Sequence, residues 1–187
     1  MQAILDFWFG QEGSEAYGSA RVEWFRKDPA FDAQIRARFG AAIETALSGG
    51  FATWTSPRGT LARILLLDQF TRNAFRDTPH AFAGDELSLS LAEGAVARGD
   101  DVHLMPVERW FMYLPFEHAE SPRAQQRSLE LYRHLRDTTG LAEPLAWAER
   151  HARVVELFGR FPHRNAILGR ESTAEEIAFL RTPGSRF

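Results

Sequence analysis

A chain of 187 residues without cysteine fits one domain folding on its own apolar core; disulfide scaffolds, thiolate metal sites and a cysteine nucleophile are excluded. Its 25 acidic and 22 basic residues give a formal charge of −3 and form no basic tail or long charged block, so neither nucleic acid nor a membrane surface gains an electrostatic hold. No apolar run approaches the roughly 20 residues of a membrane span, and the apolar opening lacks a basic leader and is interrupted by Asp6, so a soluble, cytoplasmic protein is expected.

Residues 4–9 predict a short first helix that needs packing to persist, followed by a Gly/Ser-containing loop over 11–20. Asp28 before Pro29 is a helix start: a capping carboxylate, then the residue that tolerates the first helical position. Phe31, Ile35, Phe39, Ile43 and Leu47 follow at four-residue spacing until Gly49 and Gly50. Further helices are predicted over 59–76, over 85–97 before Gly99, and from Pro106 to a limit at Pro115. Ser121 and Pro122 repeat the cap-then-proline signal for a helix reaching Gly140, and residues 141–158 form another. Pro162 starts a single turn, and Ser172 with Glu175 has capping-box spacing before a last helix. No strand alternation or hairpin turn reads from the chain. The expectation is a single all-α domain over 1–187, its consecutive helices packed as antiparallel hairpins.

The helix over 59–76 changes character along its length. At 100° per residue Leu61, Leu65, Asp68, Arg72 and Arg76 share a stripe flanked by Gln69 and Asn73, so an apolar seam turns polar at Asp68. Buried guanidinium groups need acceptors. One reading is an Asp68–Arg72 pair that only stabilises the helix; the other is a pocket wall in which Asp68, Arg72, Asn73 and Arg76 meet an anionic or carbonyl-bearing ligand.

Two other stretches carry candidate chemistry. Glu117, His118 and Glu120 follow Pro115 and precede the Ser121 cap; a carboxylate beside an imidazole suits an acid/base pair, while acids here also suit the start of a helix. Their spacing matches no helical zinc motif, and no metal is expected. The loop containing Arg160, His163, Arg164 and Asn165, and then Arg170, reads either as an anion-gripping turn or as a rigid corner. His151 shares its helix face with Trp147 and Phe158 and reads as a core histidine. Phosphate-binding glycine loops of the Walker or dinucleotide type are absent, as is the serine-hydrolase elbow, and the residues name no particular cofactor.

The stretches 65–76 (LLLDQFTRNAFR), 113–120 (YLPFEHAE) and 159–170 (GRFPHRNAILGR), with 6–10 (DFWFG), resemble a mainly bacterial family, the domain of unknown function 924. The resemblance spans nearly the whole chain and implies a tetratricopeptide-like array of stacked helical hairpins. It implies no reaction. From the residues, the leading expectation is a small-molecule-binding protein, whether or not an enzyme, with one polar pocket for an anionic ligand. Asp68, Arg72, Asn73, Arg76, Arg160, Arg164 and Asn165 are its candidate binding residues, and Glu117, His118 and His163 its candidate catalytic ones. A scaffold for a peptide or protein partner, and a purely structural ionic network, are the alternatives.

Overall fold

The computed structural model describes residues 1–185, and among these there is no strand. Nine α-helices are present among them: α1 Gln2–Phe9, α2 Pro29–Leu47, α3 Pro57–Ile64, α4 Thr71–Ala74, α5 Asp85–Arg98, α6 Pro106–His118, α7 Pro122–Thr139, α8 Glu143–Phe158 and α9 Ala174–Phe179. No helix among the described residues is long and apolar enough to cross a membrane.

The helix starts follow their capping chemistry. Asp28 Oδ1 accepts from the backbone N–H of Ala30 at 2.9 Å and of Phe31 at 3.2 Å. Ser121 caps α7 in the same way, and glycines in the left-handed conformation end α5, α7 and α8. The last helix starts one residue later than its spacing predicts. Thr173, not Ser172, forms the capping box with Glu176, because the Ser172 hydroxyl accepts from Asn165 Nδ2 at 3.0 Å.

Two elements depart from the α pattern, and both position the polar cluster. Between α3 and α4 the rod winds as a π-helix over Leu65–Phe70, all six residues buried. The wider turn disturbs the carbonyl ladder, and side chains donate to the affected carbonyls. The Thr71 hydroxyl donates to Leu67 O at 2.6 Å and Arg72 Nη1 to Asp68 O at 3.1 Å. The rod then ends at Ala74 and not at Arg76; the Arg36 guanidinium covers the Ala74 carbonyl at 2.6 and 2.8 Å.

The second departure is α6. Proline in a helix interior removes one hydrogen bond and costs ~3 kcal/mol, so a stop at Pro115 is expected. The helix continues to His118, because Val107 through Glu117 are all buried and packing outweighs that cost. The Tyr132 hydroxyl donates to Trp110 O at 3.0 Å in the preceding turn. Glu117 and His118 therefore lie in the last turn of a buried helix, not at the start of the next one.

The core is a set of interlocking rings. Trp8 is fully buried and meets Phe111 edge-on at 5.4 Å and Phe70 at 5.3 Å. α1 is held by its carbonyls: Arg21 Nη1 reaches Phe7 O and Trp24 Nε1 reaches Trp8 O. The rod lies between α2 on one side and α5 and α6 on the other, while α6, α7 and α8 pack in succession. Gly84, just before α5, touches the π segment so closely that a Cβ would drive into the Leu67 carbonyl oxygen and come within 2.9 Å of Leu67 Cα.

Two glycines of this region should therefore respond oppositely to alanine. Gly84→Ala must displace α5 from the rod and should cost about 1–3 kcal/mol. Gly94→Ala, inside α5, meets only the flexible end of Arg98 and should add roughly 0.5–1 kcal/mol of stability. Thermal denaturation of the two variants beside the wild type measures both signs.

Candidate functional site

The centre of the polar cluster is Asp68, which is 0 % exposed. The π segment turns its carboxylate toward the end of α6, where His118 Nδ1 sits 2.8 Å from Oδ1 and 3.0 Å from Oδ2. Gln69 Nε2 donates to Oδ2 at 2.6 Å, and Arg72 Nη1 stands 3.3 Å from Oδ1. Burial alone would push the carboxyl up; the Arg72 charge and then His118 overcome it and hold Asp68 below the usual carboxylate range. An ionised carboxylate only accepts hydrogen bonds, so Nδ1 of His118 carries the proton. Burial outweighs the pull of Asp68 and lowers His118 from its ordinary value, so the ring is neutral at pH 7 and Nε2 keeps its lone pair.

Arg72 joins this pair to α5. Its guanidinium makes a two-pronged bond to Asp85 at 2.8 and 3.1 Å, and although burial opposes its charge, Asp68 and Asp85 raise it above the ordinary arginine value. Arg164 reaches the same Asp85 at 3.0 Å and the His118 carbonyl at 2.9 Å, with its guanidinium between the rings of Phe82 and Phe161, each 4.7 Å away. Burial and the Arg72 charge bring Arg164 down to about 10, so it stays cationic at pH 7. Two arginines and two aspartates thus neutralise one another behind His118.

Glu117, 2 % exposed, is the opposite of Asp68. Its Oε1 lies 3.0 Å from His151 Nδ1, and its Oε2 is buried without a hydrogen-bond partner while the Tyr132 hydroxyl stands beside the carboxyl. Burial first, and repulsion from Asp68 second, push it well above the carboxylate range. His151, whose Nδ1 is also 2.9 Å from Trp147 O, is driven well down by burial and then by His118. His163 is brought to about 3 by burial, Arg164 and Arg72.

These groups face one cleft with two lobes. The larger, of about 480 Å³, has aromatic walls from Trp24, Phe25, Trp110 and Trp147, with Glu117 and Gln69 at its base. The smaller, of about 300 Å³, is bounded by Phe82, His163, Arg164 and Ile167. Arg72, Arg76, Asp77, His118 and His151 line both. Depressions of about 540 and 600 Å³ elsewhere have no buried titratable group in their walls.

The three stretches singled out in the sequence therefore converge only in part. Arg72, Asn73, Arg76, Glu117, His118, His163 and Arg164 line the cleft, and Asp68 lies sealed behind it against His118 and Arg72. Asn73 and Arg76 both hold Asp32 of α2, at 2.8 Å for Asn73 and 2.7 and 2.9 Å for Arg76. Arg160 and Asn165 are not among the lining residues. Arg160 grips Glu176 at 2.7 and 2.8 Å, Asn165 reaches the same carboxylate at 3.1 Å, and Arg170 pairs with Glu120 at 2.6 and 2.9 Å. That half of the loop is a rigid corner. His151, read from the sequence as a core histidine, belongs to the cleft; its only sequence signal, a histidine among apolar neighbours, is shared by packed histidines.

Residues 4–184 match the family described as a bacterial protein of unknown function, DUF924. The chain belongs to this family. A solved structure, the protein of unknown function ATU0120 from Agrobacterium tumefaciens, is 41% identical, with 96% of each chain covered and a TM-score of 0.84. No functionally curated protein matches the chain. Neither the DUF924 description nor that structure's name carries an activity, so geometry alone bears on function.

Two stability measurements test this arrangement. Arg72→Met strands the buried Asp68 carboxylate and should cost about 3–5 kcal/mol, against little for Arg153→Met at the exposed Arg153–Glu156 pair. Glu176 is held at about 2 by Arg160, so its contribution is complete above its unfolded value near 4.5 and disappears as pH falls through 2. Glu176→Gln should flatten the stability curve across that interval in pH-dependent urea unfolding.

Proposed function

We propose that the cleft binds a small anionic molecule, its apolar part against Trp24, Phe25, Trp110 and Trp147 and its polar part at the Glu117–His118 floor. The observation that carries this reading is one solvent-reachable cleft of about 480 Å³ that combines aromatic walls with a few convergent polar groups. Small-molecule sites have this volume and this mixture. A purely structural network would have no use for an aromatic-walled opening above His118.

The charges around the opening support an anion. Arg26, Lys27 and Arg76 line it, and of these Lys27 has only the exposed Asp77, at 3.1 Å, as its partner. Arg72 and Arg164 are already gripped by Asp85 and act by holding the shape of the site. The reaction classes these groups suit are hydrolysis and proton transfer on the bound molecule. A tetratricopeptide-like packing of the hairpins and a cytoplasmic setting agree with this reading.

A thermal-shift screen with small carboxylates and phosphate esters tests it. At least one should raise the melting temperature. Calorimetry should then show Lys27→Gln binding it about tenfold more weakly, since a charged hydrogen bond contributes ~1.5–3 kcal/mol, while Arg153→Gln binds as the wild type does. A panel without any shift, or equal affinity in both variants, would count against the cleft as the site.

A further inference from the structure

Glu117, His118 and His151 are the one group of potential metal ligands found among the described residues. Each offers one ligand atom, and the three atoms lie within 4.8 Å of one another. Glu117 and His118 come from the last turn of α6 and His151 from the middle of α8, so two rigid helices hold the triangle. All three line the larger lobe of the cleft. We propose that this triangle binds a divalent transition-metal ion, with zinc the natural occupant for two imidazoles and a carboxylate. The inference rests on the cleft being a functional site and names the group at its floor.

Three features favour an ion over a packed polar cluster. First, metal-bound histidines generally give their other ring nitrogen to a carboxylate or a carbonyl, which fixes the ring. Asp68 occupies Nδ1 of His118, which leaves Nε2 to the metal, and the Trp147 carbonyl lies 2.9 Å from His151 Nδ1. Second, Glu117 Oε2 is buried with no hydrogen-bond partner, and a native structure rarely leaves a carboxyl oxygen so. A cation between Glu117 and the imidazoles would give this buried carboxyl a positive partner. Third, the nearby cations do not repel an incoming ion strongly, because Arg72 and Arg164 are matched by Asp68 and Asp85.

Three protein ligands to zinc leave a coordination position for water or a ligand, the arrangement of catalytic and not of structural sites. That position would face the aromatic-walled lobe, where the anionic group of a bound molecule would meet the ion. Asp68 is then a positioning residue: it touches neither ion nor ligand and acts through the His118 ring.

The test uses the full chain, stripped of metal with a chelator and titrated with zinc chloride against a chromophoric competitor. One equivalent should bind. His134→Gln, at an exposed histidine, should leave the affinity unchanged. Asp68→Asn should weaken it about 10- to 100-fold, and Glu117→Gln or His151→Gln by more. If those variants fail to fold, the cobalt-loaded wild type decides. Intense visible absorption, which a low-coordinate site gives, supports the triangle, and the weak spectrum of six-coordinate cobalt overturns it. No zinc binding, or binding that Glu117→Gln leaves intact, also overturns it. Should the carboxylate or phosphate-ester shift persist in stripped protein that takes up no zinc, the ion alone is wrong; should both be absent, the cleft reading falls with it.

Discussion

An ionised carboxylate with no exposed surface is the constraint around which this fold is arranged. Desolvating Asp68 is tolerable only if donors surround it, and each donor anchors a different part of the chain. His118 ties the rod to the end of α6, and Arg72 ties it to α5 through Asp85. Arg164 then brings the loop after α8 onto the same aspartate. Moving any of these elements would leave a buried charge unmatched, so the polar cluster fixes the relative placement of four segments as firmly as the aromatic core does.

Two carboxyl groups in this small volume are driven in opposite directions. Asp68 has Arg72 and His118 beside it and stays ionised; Glu117 has a tyrosine, a neutral imidazole and the Asp68 charge, and is pushed toward its protonated form. Splitting like groups in this way is how one site comes to hold chemically distinct carboxyls at a single pH. The arginines contribute by setting that difference. Their forks are filled by aspartates, so their part in the site is electrostatic and architectural.

Much of the helical layout was legible because its signals are local. Asp28–Pro29, Ser121–Pro122 and the glycines at 99, 140 and 159 mark boundaries by the backbone groups they satisfy or the φ they adopt. What could not be read were outcomes of competition between local and distant terms. Pro115 should stop a helix and does not, because the surrounding residues are all buried. The 100° stripe assumed an α-helix through Asp68; the π segment and the early end at Ala74 keep Asp68 with Arg72 but send Arg76 to Asp32. Asp85 and His151 carried no distinctive local pattern. Their roles depend on Gly84 letting α5 approach the rod, and on α8 folding back along α7 and α6.

The aromatic walls also give this chain a built-in optical reporter. Three of its five tryptophans, Trp24, Trp110 and Trp147, border the larger lobe, whereas Trp8 is sealed in the core and Trp54 stacks on Phe51 away from the cleft. Whatever enters the cleft must change the surroundings of most of the indole in the molecule. Intrinsic emission, with no label and no substrate analogue, is therefore a direct signal of occupancy.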